Sequence, residues 1–164
     1  MKTIYLAGGC FWGTEYFFSL IDGILETKAG YANGIIENPS YEQVCSQKYK
    51  FVESVQINFD ENKISLKKIL NKFFLTINPT SLNKQGGDIG LQYRTGIYYE
   101  DKESMIIANN EIEKLQTKYS NPIQIELLPL INFYPAEEYH QKYLNKNPNG
   151  YCHIPLSLFK EANK

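Results

Sequence analysis

Cysteine, histidine and long apolar runs are scarce in this sequence. Its 164 residues include three cysteines and two histidines, and no C-x-x-C pair occurs. Three widely spaced thiols argue against a disulfide framework, and so few ligands argue against a zinc or iron–sulfur site. We therefore expect neither a metal nor a bound cofactor. A single reactive thiol with a distant partner fits this count better.

An excess of charge of one sign is also missing. There are 17 basic and 18 acidic residues, which give a net charge of -1. Such a balance offers no electrostatic reason to expect nucleic acid or an anionic membrane as a partner. The apolar start of the chain is broken by Gly8 and Gly9, so it is too short for a signal peptide. We expect a cytoplasmic protein, and a monomer, because no apolar stripe is left over for a dimer.

The regular elements follow from apolar spacing and turn residues. We predict strands over 3–7, 24–31, 51–59, 93–99 and 122–129. Helices are predicted over 10–21, 41–45, 66–77, 102–119 and 135–145, with Ser40 and Ser65 as N-caps. The glycine- and proline-rich stretches 32–40 and 80–90 are predicted loops. We expect one α+β domain over 1–164: a mixed or antiparallel sheet backed by helices, as a ferredoxin-like two-layer sandwich with long loops and a coiled C-terminal tail.

Cys10 is the first candidate functional residue, because it follows Gly8-Gly9 where a strand turns into a helix. Free N–H groups and the positive end of the helix dipole favour a thiolate there, and the thiolate is the reactive form. The alternative is a small buried apolar residue, since free cysteines are often buried.

The segment Gly-Cys-Phe-Trp-Gly-Thr-Glu, residues 9–15, closely resembles the signature of the A-type methionine sulfoxide reductases. Further blocks at 38–45, 85–94, 133–141 and 146–152 follow in the family's order, so nearly the whole chain is covered. The resemblance implies an enzyme that reduces the S epimer of methionine sulfoxide, free or in proteins. It also implies that Cys10 attacks the oxidised sulfur.

A proton donor must face the sulfoxide oxygen, where negative charge develops during the attack. Glu53 shares the apolar face of the strand with Phe51, Val55 and Ile57, so burial should raise its pKa and keep it protonated. The alternative is that the strand bends at its start and Glu53 reaches water. The resemblance implies that Glu53 is the proton donor.

Five further site residues rest on the resemblance. Tyr41 and Tyr93 match tyrosines around the sulfoxide oxygen, Phe11 and Trp12 match aromatic walls for the methyl group, and Asp88 matches a positioning carboxylate. Taken alone, the aromatic residues would be interpreted as core packing, and an Asp in a glycine-rich loop as a turn residue.

Turnover requires that the sulfenic acid left on Cys10 be reduced. Cys152 matches a family resolving position, so the resemblance implies a Cys10–Cys152 disulfide that thioredoxin reduces, with dithiothreitol as a substitute. Some relatives rely on one cysteine alone. We interpret Cys45 as a buried structural thiol, His140 as a hydrogen-bonding residue of the last helix and Glu15 as a structural residue of the first.

The chain departs from the commonest family pattern at a few positions, none of them a predicted site residue. These are Phe51 and Val52 before the acid, Ile77-Asn78 before Pro79, and Gly87. Two rival functions remain open at this point. One is thiol acyl transfer or proteolysis by Cys10 with His140 as base. The other is a non-catalytic, aromatic-lined module that binds methionine-bearing peptides.

Overall fold

The computed structural model describes residues 1–164 and contains two sheets with helices on one side of the larger. The strands are β1 Lys2–Ala7, β2 Ile24–Ala32, β3 Val52–Phe59, β4 Lys84–Gln85, β5 Asp88–Ile89, β6 Gly96–Tyr99, β7 Glu126–Pro129 and β8 Phe133–Pro135. The α-helices are α1 Phe11–Ser19, α2 Tyr41–Cys45, α3 Leu66–Leu75, α4 Lys102–Gln116, α5 Tyr143–Lys146 and α6 Leu156–Phe159. Two short 3-10 helices span Leu91–Tyr93 and Glu138–His140.

The main sheet is mixed, with the strand order β7-β6-β1-β3-β2-β8. Only β6 and β7 pair in parallel, and every other neighbouring pair is antiparallel. The inner four strands, with α1 and α3 as crossovers, form two split βαβ units, which is the ferredoxin-like arrangement. The predicted α+β sandwich is therefore confirmed, with β7 and β8 added at its edges. None of the helices combines the length and the apolar character that crossing a lipid bilayer would require.

The core lies between the helices and one face of this sheet, and alternation in β3 explains why. Val55, Ile57 and Phe59 point into the main cluster of 26 buried residues, whereas Val52 belongs to a separate cluster of five on the opposite face. Helix α3 contributes a buried stripe at the expected spacing. Ser65 caps this helix by accepting the Lys68 N–H at 3.1 Å. A fully buried Leu, Ile or Phe contributes roughly 1.5–3 kcal/mol.

Three predicted segments were wrong, and hydrogen bonds explain each one. Residues 93–99 do not form one strand, because the Arg94 guanidinium reaches back to the Leu91 carbonyl at 3.0 Å and stabilises a 3-10 turn. Residues 122–125 precede β7 as irregular chain, since the Gln124 N–H donates to the Pro79 carbonyl instead of a strand. The predicted loop 80–90 contains the small β4–β5 hairpin.

The predicted helix over 135–145 is interrupted. Lys142 adopts a φ of +51°, and its N–H donates to the Glu15 carboxylate at 2.7 Å. The Gln141 side chain pairs with both the N–H and the carbonyl of Ala29 on β2. These contacts hold the segment against the sheet and interrupt the helix at Lys142. The 3-10 helix Glu138–His140 precedes Lys142, and the four-residue helix α5 follows it.

Candidate active site

The predicted nucleophile lies at the junction of β1 and α1. Cys10 is the N-cap residue of α1 and is only 7% exposed. Gly9 has a φ of +81°, a left-handed conformation that favours glycine. Its N–H donates to the Tyr93 carbonyl at 3.3 Å, which connects the turn to a second predicted site residue. The strand-to-helix turn therefore holds the thiol inside the protein at the first turn of a helix.

Two carboxyl groups converge on the backbone of this turn. Asp88 Oδ2 accepts the Cys10 N–H at 3.4 Å, and Glu53 Oε1 accepts the Phe11 N–H at 3.2 Å. Two N–H groups that helix α1 cannot satisfy thus each receive an acidic partner. This pairing brings both predicted carboxyl groups to the two sides of the predicted nucleophile.

Glu53 lies on the apolar face of β3, as its alternation predicted, and is 1% exposed. Burial raises the pKa of Glu53 to about 8, against the lowering effect of the Phe11 N–H hydrogen bond. The carboxyl group is therefore protonated at neutral pH and can donate a proton.

The expected thiolate at Cys10 was wrong for the resting protein. Burial raises the pKa of the Cys10 thiol well above its usual range, and a charge on Glu53 raises it further. The Trp12 N–H at the helix start lowers this pKa, but desolvation is the larger effect. Cys10 is accordingly a neutral thiol, because burial raises its pKa more than the N–H groups at the first turn of α1 lower it.

Tyr41 and Tyr93 approach this pair from different loops. A capping box starts α2: Ser40 Oγ accepts the Gln43 N–H at 3.2 Å, and the Gln43 side chain accepts the Ser40 N–H at 2.9 Å. Tyr41 is the first residue of that helix, whereas Tyr93 ends the 3-10 turn rather than starting a strand. Burial raises the pKa of both phenols, so both keep their protons.

The predicted aromatic wall also forms. Trp12 stacks on Tyr143 with ring centroids 3.7 Å apart, and its Nε1–H donates to His140 Nδ1 at 3.0 Å. The His140 ring packs against Phe11 at 5.2 Å and against Tyr41 at 4.7 Å. His140 is thus a buried hydrogen-bonding residue, as predicted, but it lies in a 3-10 turn and not in a helix.

Cys152 reaches the same helix from the C-terminal segment. Its sulfur would lie 2.7 Å from a Cβ at Gly13, so it packs directly on the first turn of α1. The side chain is half-buried, and burial raises the pKa of its thiol. A cavity of about 270 Å³ adjoins it on the other side, lined in part by Tyr16 and Phe159. All three cysteines are reduced in this structure.

Cys45 is not the buried residue that we predicted. It is half-buried and lies one helical turn after Tyr41, at the C-terminal end of α2. Glu15, by contrast, is a structural residue as expected: its carboxylate is 1% exposed and accepts from Thr27 Oγ1 and the Lys142 N–H.

Sequence reasoning missed residues that hold the site together. Glu137 accepts from the Tyr31 hydroxyl at 2.8 Å and the Tyr41 N–H at 3.2 Å. The Arg94 guanidinium donates to the carbonyls of Lys50 and Phe51, just before Glu53. Both lie inside the blocks that carry the family resemblance, which was the available signal.

A cavity of about 610 Å³ lies between Lys50, Arg94 and residues 123–126 and contains none of the predicted site residues. The polar contacts around Cys10 are the better guide to function. No three His, Cys, Asp or Glu side chains are grouped in a way that could hold a metal ion.

Comparison with known proteins gives consistent matches over nearly the full length. Residues 2–164 match the family model described as peptide methionine sulfoxide reductase. The peptide methionine sulfoxide reductase MsrA of Clostridium perfringens is 59% identical over 156 residues, which cover 95% of this chain and 99% of that protein.

Solved structures agree with the sequence matches. Mxr1 from Saccharomyces cerevisiae in its reduced form superposes with a TM-score of 0.89 at 39% identity, covering 94% of this chain and 91% of that one. Mxr1 in complex with Trx2 superposes with a TM-score of 0.62 at 28% identity, covering 87% and 84%. The fold and the order of the site-bearing elements are thus similar to those of these proteins.

Proposed function

Because the chain belongs to the peptide methionine sulfoxide reductase family, we propose that it reduces methionine-S-sulfoxide, free or in proteins, through Cys10. The chain is a methionine sulfoxide reductase, an oxidoreductase that acts on sulfur. Stereochemistry, site residues and turnover are the proposal. Its resemblance to the A type supports the S epimer, since each reductase type serves one epimer.

The observation that carries the assignment of residues is the convergence on α1. Cys10 lies between a buried, protonated Glu53 and Asp88, whose carboxyl groups accept consecutive N–H groups at the start of this helix. A sulfur nucleophile beside a proton donor is the pair that sulfoxide reduction needs.

In the first step, the Cys10 sulfur attacks the sulfoxide sulfur while Glu53 delivers its proton to the sulfoxide oxygen. The thiol proton of Cys10 returns to Glu53. The hydroxyl group then passes from the methionine sulfur to the Cys10 sulfur. The S–S bond formed by the attack and the S–O bond of the substrate both break, an S–O bond forms on Cys10, and methionine leaves while Cys10 becomes a sulfenic acid. Methionine sulfur gains two electrons and Cys10 loses two, so the step balances without a cofactor. Tyr41 and Tyr93, which keep their phenolic protons, donate hydrogen bonds to the oxygen, and Phe11 and Trp12 enclose the methyl group.

In the second step, the Cys152 thiol attacks the Cys10 sulfur, and the sulfenic hydroxyl leaves as water with the thiol proton. The position of the Cys152 sulfur against Gly13 supports this role. A dithiol then reduces the Cys10–Cys152 disulfide. The complex of Mxr1 with Trx2 supports a thioredoxin as that reductant.

The acyl-transfer alternative is less well supported, because His140, the base that it requires, is hydrogen-bonded to Trp12. His140 Nδ1 accepts the Trp12 indole N–H, and the ring is enclosed by aromatic side chains. A purely binding role does not suit a member of an enzyme family.

The test is reduction of a blocked methionine sulfoxide, as separated S and R epimers, with dithiothreitol as reductant. We expect the parent to consume the S epimer alone. Cys10→Ser should lose activity by at least about a thousandfold, because the nucleophile is removed. Circular dichroism would verify that the variant folds.

Cys152→Ser is the matched control in the same assay. It should still form one equivalent of methionine without reductant, but no disulfide. Reduction of the R epimer, or an active Cys10→Ser variant, would contradict the proposal.

A further inference from the structure

His153, which follows the second thiol, is a buried side chain without a hydrogen-bond partner. Its side chain is 2% exposed, and neither ring nitrogen has a partner in the protein. The Gly8 carbonyl is nearby but is not aligned for a hydrogen bond. A buried polar group left unsatisfied costs roughly 1–3 kcal/mol. A hydrophobic side chain would fill this space without that cost, so packing alone does not explain the imidazole.

Two glycines shape the space that the imidazole occupies. A Cβ at Gly9 would lie 2.9 Å from His153 Nε2, and a Cβ at Gly86 would lie 3.1 Å from His153 Cβ. Gly9 precedes Cys10, and Gly86 belongs to the turn between β4 and β5. The ring therefore fills the crease between the nucleophile turn and the hairpin that carries Asp88.

Asp88 is the polar group that connects this ring to the nucleophile. Its Oδ2 lies 3.7 Å from His153 Nδ1 and also accepts the Cys10 N–H at 3.4 Å. Tyr151 is also close to this carboxylate, since the Asp88 charge contributes to raising the pKa of its phenol, after burial. Tyr151 and His153, which flank Cys152 in the sequence, are thus both close to the Asp88 carboxylate, and this carboxylate accepts the Cys10 N–H.

We propose that His153 is a positioning residue for the resolving step: held between Gly9 and Gly86 and facing Asp88, it keeps the Cys152 sulfur on the first turn of α1. The inference rests on the proposed function of Cys152. His153 Cε1 and the Cys152 sulfur lie 3.5 Å and 2.7 Å from the same point, the position of a Cβ on Gly13. A shift of the ring therefore moves the sulfur along the helix that carries Cys10.

The chemistry explains why this placement matters for one step only. Cys152 must form an S–S bond with Cys10 while the S–O bond of the sulfenic acid breaks and water leaves. Attack on the Cys10 sulfur requires the Cys152 sulfur to lie in line with the breaking S–O bond. A displacement of the Cys152 sulfur by about 1 Å can therefore slow this step by up to a hundredfold. Methionine formation needs Cys10 and the proton donor, and it does not need Cys152.

A single-turnover experiment without reductant separates the two steps. Methionine release and loss of the first titratable thiol report the attack by Cys10, whereas loss of the second thiol reports the disulfide. We expect His153→Leu to slow loss of the second thiol by roughly ten- to a hundredfold, with methionine release within about twofold of the parent. His153→Gln, which retains a donor and an acceptor, should recover part of the lost rate.

Two further variants make the outcome decisive. Leu158→Val loosens packing of the C-terminal segment in α6, beyond the contact with Gly13, and it should lower thermal stability while leaving the ratio of the two rates unchanged. Equal slowing of both steps by His153→Leu, or an unchanged rate of loss of the second thiol, would overturn the role of His153 while the role of Cys152 stands. A disulfide that still forms in Cys152→Ser would instead refute the proposed function, and the role of His153 with it.

Discussion

The two halves of the site are built differently. Cys10 and Glu53 come from β1, α1 and β3, which are neighbours in the main sheet and its first helix. Tyr41, Tyr93 and Cys152 come from a five-residue helix, a 3-10 turn and the irregular C-terminal segment. The proposed nucleophile and proton donor are thus on the half built from regular elements, the rigid half, and the groups proposed to orient the oxygen or to form the disulfide are on the loop half.

Polar contacts hold several loops of the site against the main sheet and α1. Glu137 accepts the Tyr31 hydroxyl of β2 and the Tyr41 N–H, Arg94 reaches the Phe51 carbonyl before β3, and Asp88 accepts the Cys10 N–H. Precise geometry can therefore be imposed on a loop when a few hydrogen bonds to the sheet hold it. The expectation is that damage to the rigid half abolishes chemistry, while damage to the loop half changes individual steps.

The largest effect should come from Glu53→Gln on the rigid half. Removing the proton donor should slow methionine formation by roughly a hundred- to ten-thousandfold. Gln fits the same space and can still accept the Phe11 N–H, so the fold should be retained. Single-turnover methionine release measures the loss, and a decrease of less than about tenfold would argue against Glu53 as the donor.

The pH profile of the parent provides the control for that substitution. Methionine formation should be constant below pH 8 and decrease above it, because the pKa of Glu53 is raised to about 8 and only the protonated form donates. The raised pKa of Glu53 also affects the stability of the fold. Its contribution is fully present below pH 4.5, the ordinary pKa of the carboxyl group, and is lost as the pH rises to about 8. Glu53→Gln should therefore lack the rate inflection and gain thermal stability over the parent at pH 8.

A smaller effect is expected from Gly13→Ala, at the contact between the two halves. A new Cβ would lie 2.7 Å from the Cys152 sulfur, so Cys152 must move. Disulfide formation should slow by about tenfold while methionine release is retained. In a Cys152→Ala background the same change should stabilise α1, because alanine favours a helix over glycine by about 1 kcal/mol. An unchanged rate of loss of the second thiol would show that the contact does not position Cys152.

The smallest effect should come from Ser40→Ala on the loop half. Loss of the capping box of α2 should lower the free energy of unfolding by about 1 kcal/mol. Activity should decrease less than for Gly13→Ala, because the Glu137 carboxylate still holds the Tyr41 N–H. Urea unfolding with the sulfoxide assay measures both, and a loss of activity as large as that of Glu53→Gln would remove the distinction between the halves.

The difference between the rigid half and the loop half also explains which features could be predicted from the sequence. Alternation in 51–59 and the cap at Ser65 are local signals, and they located Glu53 and α3 correctly. The state of the Cys10 thiol was mispredicted, because burial depends on residues distant in sequence. Tyr93 and the segment around Lys142 were misplaced for a similar reason: Arg94 and Glu15 make hydrogen bonds to residues distant in sequence, which no local pattern reveals. Residue types and motifs identified which side chains meet, but not the contacts that hold them together.

The neutral state of Cys10 has a consequence for survival under oxidative stress. Peroxides and alkylating reagents react with thiolates, and a buried thiol with a raised pKa offers them very little thiolate. In the proposed mechanism, Cys10 becomes reactive when a sulfoxide accepts a proton from Glu53 and the carboxylate can take the thiol proton. A repair catalyst built in this way is shielded, while idle, from the oxidants whose damage it removes.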